Sequence, residues 1–160
     1  MTAFAKKSEG FTVPQRAVTG SFTIEKADDE QQMLFGWANI AVAPDGHTVE
    51  DSHGEQIAAD DLEHAAYGFV LKSRVSGEDH DGGPVDGVLV ESVMFTDEKL
   101  AALAIDPFDG VTVNEELAKA LADHMPRGWW VGFHIADEEA WDRTKKDKTE
   151  FSIEGTARYA

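Results

Sequence analysis

The stretch MLFGWANIAVA, residues Met33 to Ala43, carries a strong strand signal. Its β-branched and aromatic side chains favour an extended backbone. A second strand-forming stretch, Val18 to Lys26, precedes it, and the polar segment Ala27 to Gln32 between the two suits a hairpin connection. Two strands joined by so short a segment pair antiparallel. The sequence therefore predicts that the fold opens with an antiparallel hairpin.

Helix and strand signals follow in an irregular order. Apolar residues recur at steps of three and four after Asp60, which predicts the longest helix at Asp60 to Ser73. Further helices are predicted at Asp97 to Ala104, Asn114 to Met125 and Asp137 to Thr144, and further strands at Val88 to Phe95, Trp129 to Ile135 and Glu150 to Ala157. Ser76 to Gly87 is too rich in Gly, Asp and Pro for regular structure, and Pro44 to Gly54 allows at most a short strand.

This order lacks the regular alternation of a doubly wound sheet. The fold class predicted is therefore α+β, with a mostly antiparallel sheet or small barrel, closed or nearly closed, and flanking helices. Residues 1–17 are predicted to be a flexible N-terminal arm, and residues 18–160 a single domain.

Composition narrows the function classes. The 160 residues contain no cysteine, which excludes disulfides, thiolate metal sites and cysteine nucleophiles. The chain shows no signal peptide and no apolar run that could span a bilayer, so we expect a soluble protein without a membrane partner. A net charge of −17 repels nucleic acid and otherwise favours solubility.

A hydroxyl nucleophile needs a base within hydrogen-bond reach, and such pairs are recognised by geometry rather than by sequence proximity. His80, in a loop rich in Gly and Asp, and Ser152, on the polar side of the last predicted strand, suit these roles. On spacing alone, however, a loop histidine is more often a surface residue and a strand serine more often faces water.

Several segments, in order, carry a resemblance to a known family. They are Phe35-Gly-Trp-Ala-Asn-Ile-Ala-Val42, Asp51-Ser-His-Gly-Glu55, Ala65-Ala-Tyr-Gly-Phe-Val-Leu71, Gly77-Glu-Asp-His80, Val88-Leu-Val-Glu-Ser-Val-Met-Phe-Thr96, Gly128-Trp-Trp-Val-Gly-Phe133 and Phe151-Ser-Ile-Glu-Gly155. Together they make the chain resemble the prohead (capsid maturation) serine proteases of tailed phages, in their XkdF-like branch, from about Val18 to Arg158. Such proteases are similar in fold to herpesvirus assemblins.

The resemblance implies a serine endopeptidase without a cofactor, with Ser152 as nucleophile and His80 as base. It places the region that supports the oxyanion near Gly155 and Arg158. The implied partners are the scaffold protein and the major capsid protein, with self-association as a homodimer. The implied location is the host cytoplasm, within the phage prohead or virion.

Relatives usually continue into a segment that bears an acidic residue, where assemblins have a second histidine, and the sequence has no counterpart of it. The third catalytic member is therefore expected elsewhere in the chain, or is absent, or belongs to a removed or separately encoded tail. Among the internal candidates, Glu91 ranks before Asp79 and Asp81. The alternative is a non-catalytic capsid assembly or virion structural protein derived from the protease fold.

Two further groups of residues allow alternative interpretations. Trp129, Trp130 and Phe133 fit a substrate-binding face, but paired aromatic residues on a strand more often form core and rim. Acidic residues surround His80 and also His53, and such sets can bind hard cations. Those around His80 are Asp79, Asp81 and Asp86; those around His53 are Asp51 and Glu55. Acidic loops are common in so acidic a chain, and no metal site is predicted.

Overall fold

The structure, a computed structural model, describes residues 18–19, 24–50, 54–77, 85–108, 110 and 114–147. The strands in these ranges are β1 (Val18–Thr19), β2 (Ile24–Asp28), β3 (Met33–Val42), β4 (Val49–Glu50), β5 (Val75–Gly77), β6 (Val85–Phe95) and β7 (Arg127–Ile135). The helices are α1 (Ala59–Lys72), α2 (Asp97–Ala102), α3 (Glu115–His124) and α4 (Glu138–Asp147). No helix among the described residues is long and apolar enough to cross a membrane.

Five strands form an antiparallel sheet in the order β2-β3-β7-β6-β5, while β1 and β4 make a separate parallel pair. The α+β class with helices flanking an antiparallel sheet is therefore confirmed. The sheet is open, and the expectation of a closed or nearly closed barrel is wrong for the described residues. In that part of the chain, the edge strands β2 and β5 each pair with one neighbour.

The central strand β7 divides the core between the two faces of the sheet. On the first face it places Trp129, Val131, Phe133 and Ile135, all of which are buried. Helix α1 packs against this face, where the Phe69 ring meets those of Trp129 and Phe133 edge-on, with centroids 5.4 and 6.3 Å apart. Burying large apolar side chains contributes about 1.5–3 kcal/mol each. The fully buried Leu62 of α1 belongs to the same cluster, so this residue and Phe69 together hold α1 on the sheet.

Helix α4 packs on the same face nearer its edge. Its Ala140 and Trp141 are buried against Leu34 of β3 and Ile135 of β7. Both helices that contribute buried residues to the two core clusters thus lie on the first face. The second face of β7 presents Gly128, Trp130, Gly132 and His134.

Capping residues determine where α2 and α3 begin. The Asn114 side-chain oxygen accepts hydrogen bonds from the amides of Glu116 and Leu117, at 2.8 and 3.1 Å. The Thr96 hydroxyl accepts one from the Lys99 amide at 3.4 Å. Such caps satisfy amides that the helix itself leaves without partners. Both beginnings match the sequence prediction to within one residue.

Two of the sequence predictions need correction. The segment Ser76 to Gly87 is not wholly irregular, because β5 pairs with the start of β6. Gly87 lies opposite Ser76 in this pairing, and a Cβ atom at Gly87 would meet the Ser76 hydroxyl in its present rotamer. Val18 to Lys26 is not described as one strand, since β1 ends at Thr19 and β2 begins at Ile24. The predicted strand Glu150 to Ala157 lies outside the described residues.

The two ends of the sheet carry different segments. The hairpin end holds the β2–β3 turn, the end of β5, the start of β6 and the end of β7. The α2 end holds the end of β3, the end of β6 and the start of β7, with Val42 opposite Arg127 and Phe95 opposite Gly128.

Gly128 tests how closely β3 and β7 approach each other. A Cβ atom there would lie 2.6 Å from the Asn39 carbonyl oxygen, and backbone cannot move aside cheaply. We expect Gly128→Ala to lower the free energy of unfolding by about 1–3 kcal/mol, the usual effect of overpacking. Urea denaturation followed by fluorescence would measure it.

Gly68→Ala is the matched control, because nothing lies within 4 Å of a Cβ atom at that helical position. It should raise stability by about 0.5–1 kcal/mol. Equal unfolding midpoints for the two variants would contradict the close approach at Gly128.

Candidate functional site

The predicted reactive residues fall on segments outside the described residues. His80, Asp79 and Asp81 belong to the connection between β5 and β6, and Ser152 follows α4, together with Gly155 and Arg158. Their mutual geometry therefore stays a prediction. The structure does describe the elements from which both segments depart.

The segment that contains His80 departs from the hairpin end of the sheet. Gly77 pairs with Val85, and Gly87, two residues further along β6, pairs with Ile135 at the end of β7. His80 is three residues beyond Gly77, so its Cα can lie at most about 10 Å from that of Gly77. The described strands thus show the point from which the segment with His80 departs.

The segment that contains Ser152 follows α4, which is fixed at the same end. The Lys145 ammonium nitrogen lies 2.6 Å from an Asp29 carboxylate oxygen in the β2–β3 turn. The hydrogen bond from Lys145 holds the pKa of Asp29 below its ordinary value, and the same bond raises the pKa of Lys145. Ser152 is five residues beyond Asp147, a span of at most about 17 Å.

These two spans can be compared with the width of the sheet. The edge strands β2 and β5 are separated by four strand spacings of about 4.8 Å each, or roughly 19 Å. Spans of about 10 and 17 Å from opposite edges are together longer than that width. These chain lengths leave a contact between His80 and Ser152 possible, and their mutual position stays a prediction.

Glu91, the first-ranked third member, lies on β6 and is exposed. It pairs with Gly132, which belongs to the second face. A Cβ atom at Gly132 would lie 2.6 Å from the Phe35 ring and 3.1 Å from the Glu91 Cβ. The missing side chain thus lets Phe35 and Glu91 approach from either side of β7.

Aromatic side chains line the second face next to Glu91. The Trp37 ring lies 5.5 Å from those of Trp130 and Phe95, centroid to centroid. We call Phe35, Trp37, Phe95 and Trp130 the aromatic surface; all four are half-buried. Flat apolar rings of this kind can bind extended peptide.

Of the two interpretations of Trp129, Trp130 and Phe133, the division between core and rim agrees with the structure. Trp129 and Phe133 belong to the core, whereas Trp130 lies on the opposite face. Sequence reasoning missed that Trp37 and Phe95 join Trp130. Residues 35 and 37 alternate along β3, which is the period of one face of a strand, but the pairing of β3 and β6 with β7 was needed to bring the rings together.

The described residues contain no group of three or more His, Asp or Glu side chains that could hold a metal ion. Asp79, His80 and Asp81 lie outside them, as do Asp51 and His53. The side chain of Asp86 is not described either. The metal interpretation of these residues stays untested.

Comparisons with known proteins identify relatives. The chain is 33% identical over 135 residues to the uncharacterized protein YqbD of Bacillus subtilis strain 168, covering 84% of this chain and 34% of that protein. It is 28% identical over 130 residues to the phage-like element PBSX protein XkdF of the same strain, covering 81% and 38%. The chain thus spans about a third of the length of these curated relatives. No solved structure matches it.

A family model matches residues 21–160, nearly the whole chain, and that range includes both His80 and Ser152. Its members are phage-associated, as the name of the PBSX relative also indicates. The chain therefore belongs to the family described as "Putative phage serine protease XkdF".

Proposed function

We propose that this protein is a prohead serine endopeptidase that cleaves the scaffold protein, the major capsid protein or both during phage capsid maturation. The observation that carries the proposal is the match to a family described as a phage serine protease over a range that contains both His80 and Ser152. The assemblin-like fold and the place of action, within the prohead in the host cytoplasm, are parts of the same proposal.

In the proposed reaction, the Ser152 hydroxyl attacks the scissile carbonyl while His80 accepts its proton. The tetrahedral intermediate carries an oxyanion, which backbone amides near Gly155 and Arg158 stabilise. His80 then donates the proton to the leaving amine, and water releases the acyl group by the reverse sequence of steps. No metal or organic cofactor takes part.

Two structural features support the proposal. The segments that contain His80 and Ser152 depart from the same end of the sheet, within reach of each other. The aromatic surface lies next to Glu91 on the second face, where an extended substrate would contact Trp37 and Trp130. Glu91 would orient the imidazole of His80 as the third member.

The first prediction concerns the reactive pair. Co-expression with the capsid and scaffold genes of its own phage, followed by mass analysis of the capsid N-terminus, should show cleavage. Ser152→Ala and His80→Ala should each lower the cleavage rate by at least about a thousandfold, and the double variant should be little worse, because such residues act as a unit.

Ser73→Ala is the control for the first prediction. Ser73 is an exposed serine at the end of α1, so its loss should leave cleavage unchanged. Cleavage that persists in Ser152→Ala would exclude the serine mechanism. If the wild-type protein cleaves neither protein, the non-catalytic capsid assembly role becomes the better account.

The second prediction concerns the third member. Glu91→Gln should slow cleavage less than loss of Ser152 or His80 does, by about ten- to a hundredfold, because the orienting residue contributes less than nucleophile or base. Since Glu91 is exposed, the free energy of unfolding, measured by thermal denaturation, should change by less than about 0.5 kcal/mol. Asp79→Asn and Asp81→Asn should be nearly silent. If either aspartate variant cleaved more slowly than Glu91→Gln, that aspartate would be the orienting residue instead of Glu91.

A further inference from the structure

A groove separates α2 from α3 at the α2 end of the sheet. Its volume is about 370 Å³, and its lining is mainly aliphatic: Leu100, Ala101, Ala104, Ile105, Ala118 and Ala122. The ion pair between Arg127 and Asp97 closes the lining at one side. Helix α3 contains no fully buried residue, so this helix hairpin leaves apolar surface in contact with water.

Large apolar side chains of the same helix hairpin are exposed, and one of them, Ile105, lines the groove. They are Leu103, Ile105, Phe108 and Leu117, and Phe108 is 97% exposed. A phenylalanine almost wholly in water is unfavourable in a protein without a partner for it. Clustered exposure of this kind marks a surface that binds another segment.

The charged residues of this helix hairpin, which we call the rim of the groove, are mainly acidic. Residues 97–127 contain seven acidic and three basic residues. The three basic residues are already engaged: Lys99 with Glu63, Lys119 with Asp123 and Arg127 with Asp97. Glu98, Glu115 and Glu116 lie in the first turns of α2 and α3. A segment that fits this groove must combine apolar anchors with positive charge.

One segment of the chain has this composition. Residues 1–17 contain three basic residues (Lys6, Lys7 and Arg16) against a single acidic one, whereas the whole chain has 14 basic and 31 acidic residues. The same segment contains Phe4 and Phe11, which can supply the apolar anchors.

The pairing of the strands shows that this segment can reach the groove. Arg127, which lines the groove, is opposite Val42; Val42 bridges to Thr48; and Val49 pairs with Val18, where β1 begins. Three strand spacings amount to about 15 Å, which roughly five extended residues cover. More than half of residues 1–17 therefore remain to contact the groove.

We infer that residues 1–17 bind in the groove between α2 and α3 of their own chain. The basic side chains of this segment complement the acidic rim, and its phenylalanines cover the exposed aliphatic lining. This inference is independent of the proposed protease function, because the groove lies at the end of the sheet opposite to the segments with His80 and Ser152.

Disulfide trapping tests the inference directly, because the protein has no cysteine of its own. Two full-length variants share Ser8→Cys and differ in the second cysteine. Ala122→Cys lies in the groove, and Glu139→Cys, the control, lies exposed on α4. After correction for thiol reactivity, we expect the intramolecular disulfide to Ala122→Cys to form at least about tenfold faster than the one to Glu139→Cys. Binding of the segment raises the local concentration of the Ser8→Cys thiol at the groove.

Charge changes in residues 1–17 test whether electrostatic attraction helps this segment to bind in the groove. Adding Lys6→Glu and Lys7→Glu should slow trapping at Ala122→Cys several-fold, whereas Glu9→Lys should accelerate it at low salt, with both effects smaller at high salt. Equal trapping at Ala122→Cys and Glu139→Cys would overturn the inference. Faster disulfide formation between two molecules than within one would also overturn it, since the groove would then bind a second copy.

Discussion

The unequal two faces of β7 determine how the rest of the structure is arranged. This central strand supplies four large apolar side chains to one face and glycines at two of the four positions on the other. The large side chains give α1 and α4 a surface to bury, and the glycines let neighbouring groups approach the strand closely. At Gly132 the neighbour is the Phe35 ring, and at Gly128 it is the backbone of β3. Among the described residues, one strand thus builds the core on one face and brings aromatic side chains together on the other.

This arrangement separates the two ends of the sheet. The segments proposed to react leave from the hairpin end, where α4 is fixed by its buried tryptophan and by the ion pair between Lys145 and Asp29. The helix hairpin of α2 and α3 occupies the α2 end, where Lys99 joins α2 to α1 through Glu63 and Tyr67. Burial disfavours the charged form of Lys99, but the hydrogen bonds to Tyr67 and Glu63 outweigh it and raise the pKa of Lys99. A substitution in α2 or α3 therefore need not alter the structure at the opposite end of the sheet.

Local signals in the sequence were sufficient for most elements. The periodicity after Asp60 and the caps at Thr96 and Asn114 are properties of a few neighbouring residues, and all three helices begin within one residue of the prediction. Strand β5 was not predicted, because Val75–Gly77 is short and depends on its pairing with β6. The open form of the sheet also could not be predicted, since closure depends on which strands become edges. The same limit applies to the site. The resemblance to the prohead proteases implied His80 and Ser152, whereas only pairing across the sheet joins Trp37, Phe95 and Trp130 into one surface.

The central claim is that Ser152 is a nucleophile activated by His80. A fluorophosphonate reacts covalently with an activated serine and leaves ordinary hydroxyls unmodified, so peptide mapping by mass spectrometry after labelling of the folded protein measures activation at each serine. We expect a single adduct on Ser152, with no adduct when the protein is denatured before labelling and none in His80→Ala. An unlabelled folded protein, or an adduct on another serine such as Ser73 or Ser92, would contradict it.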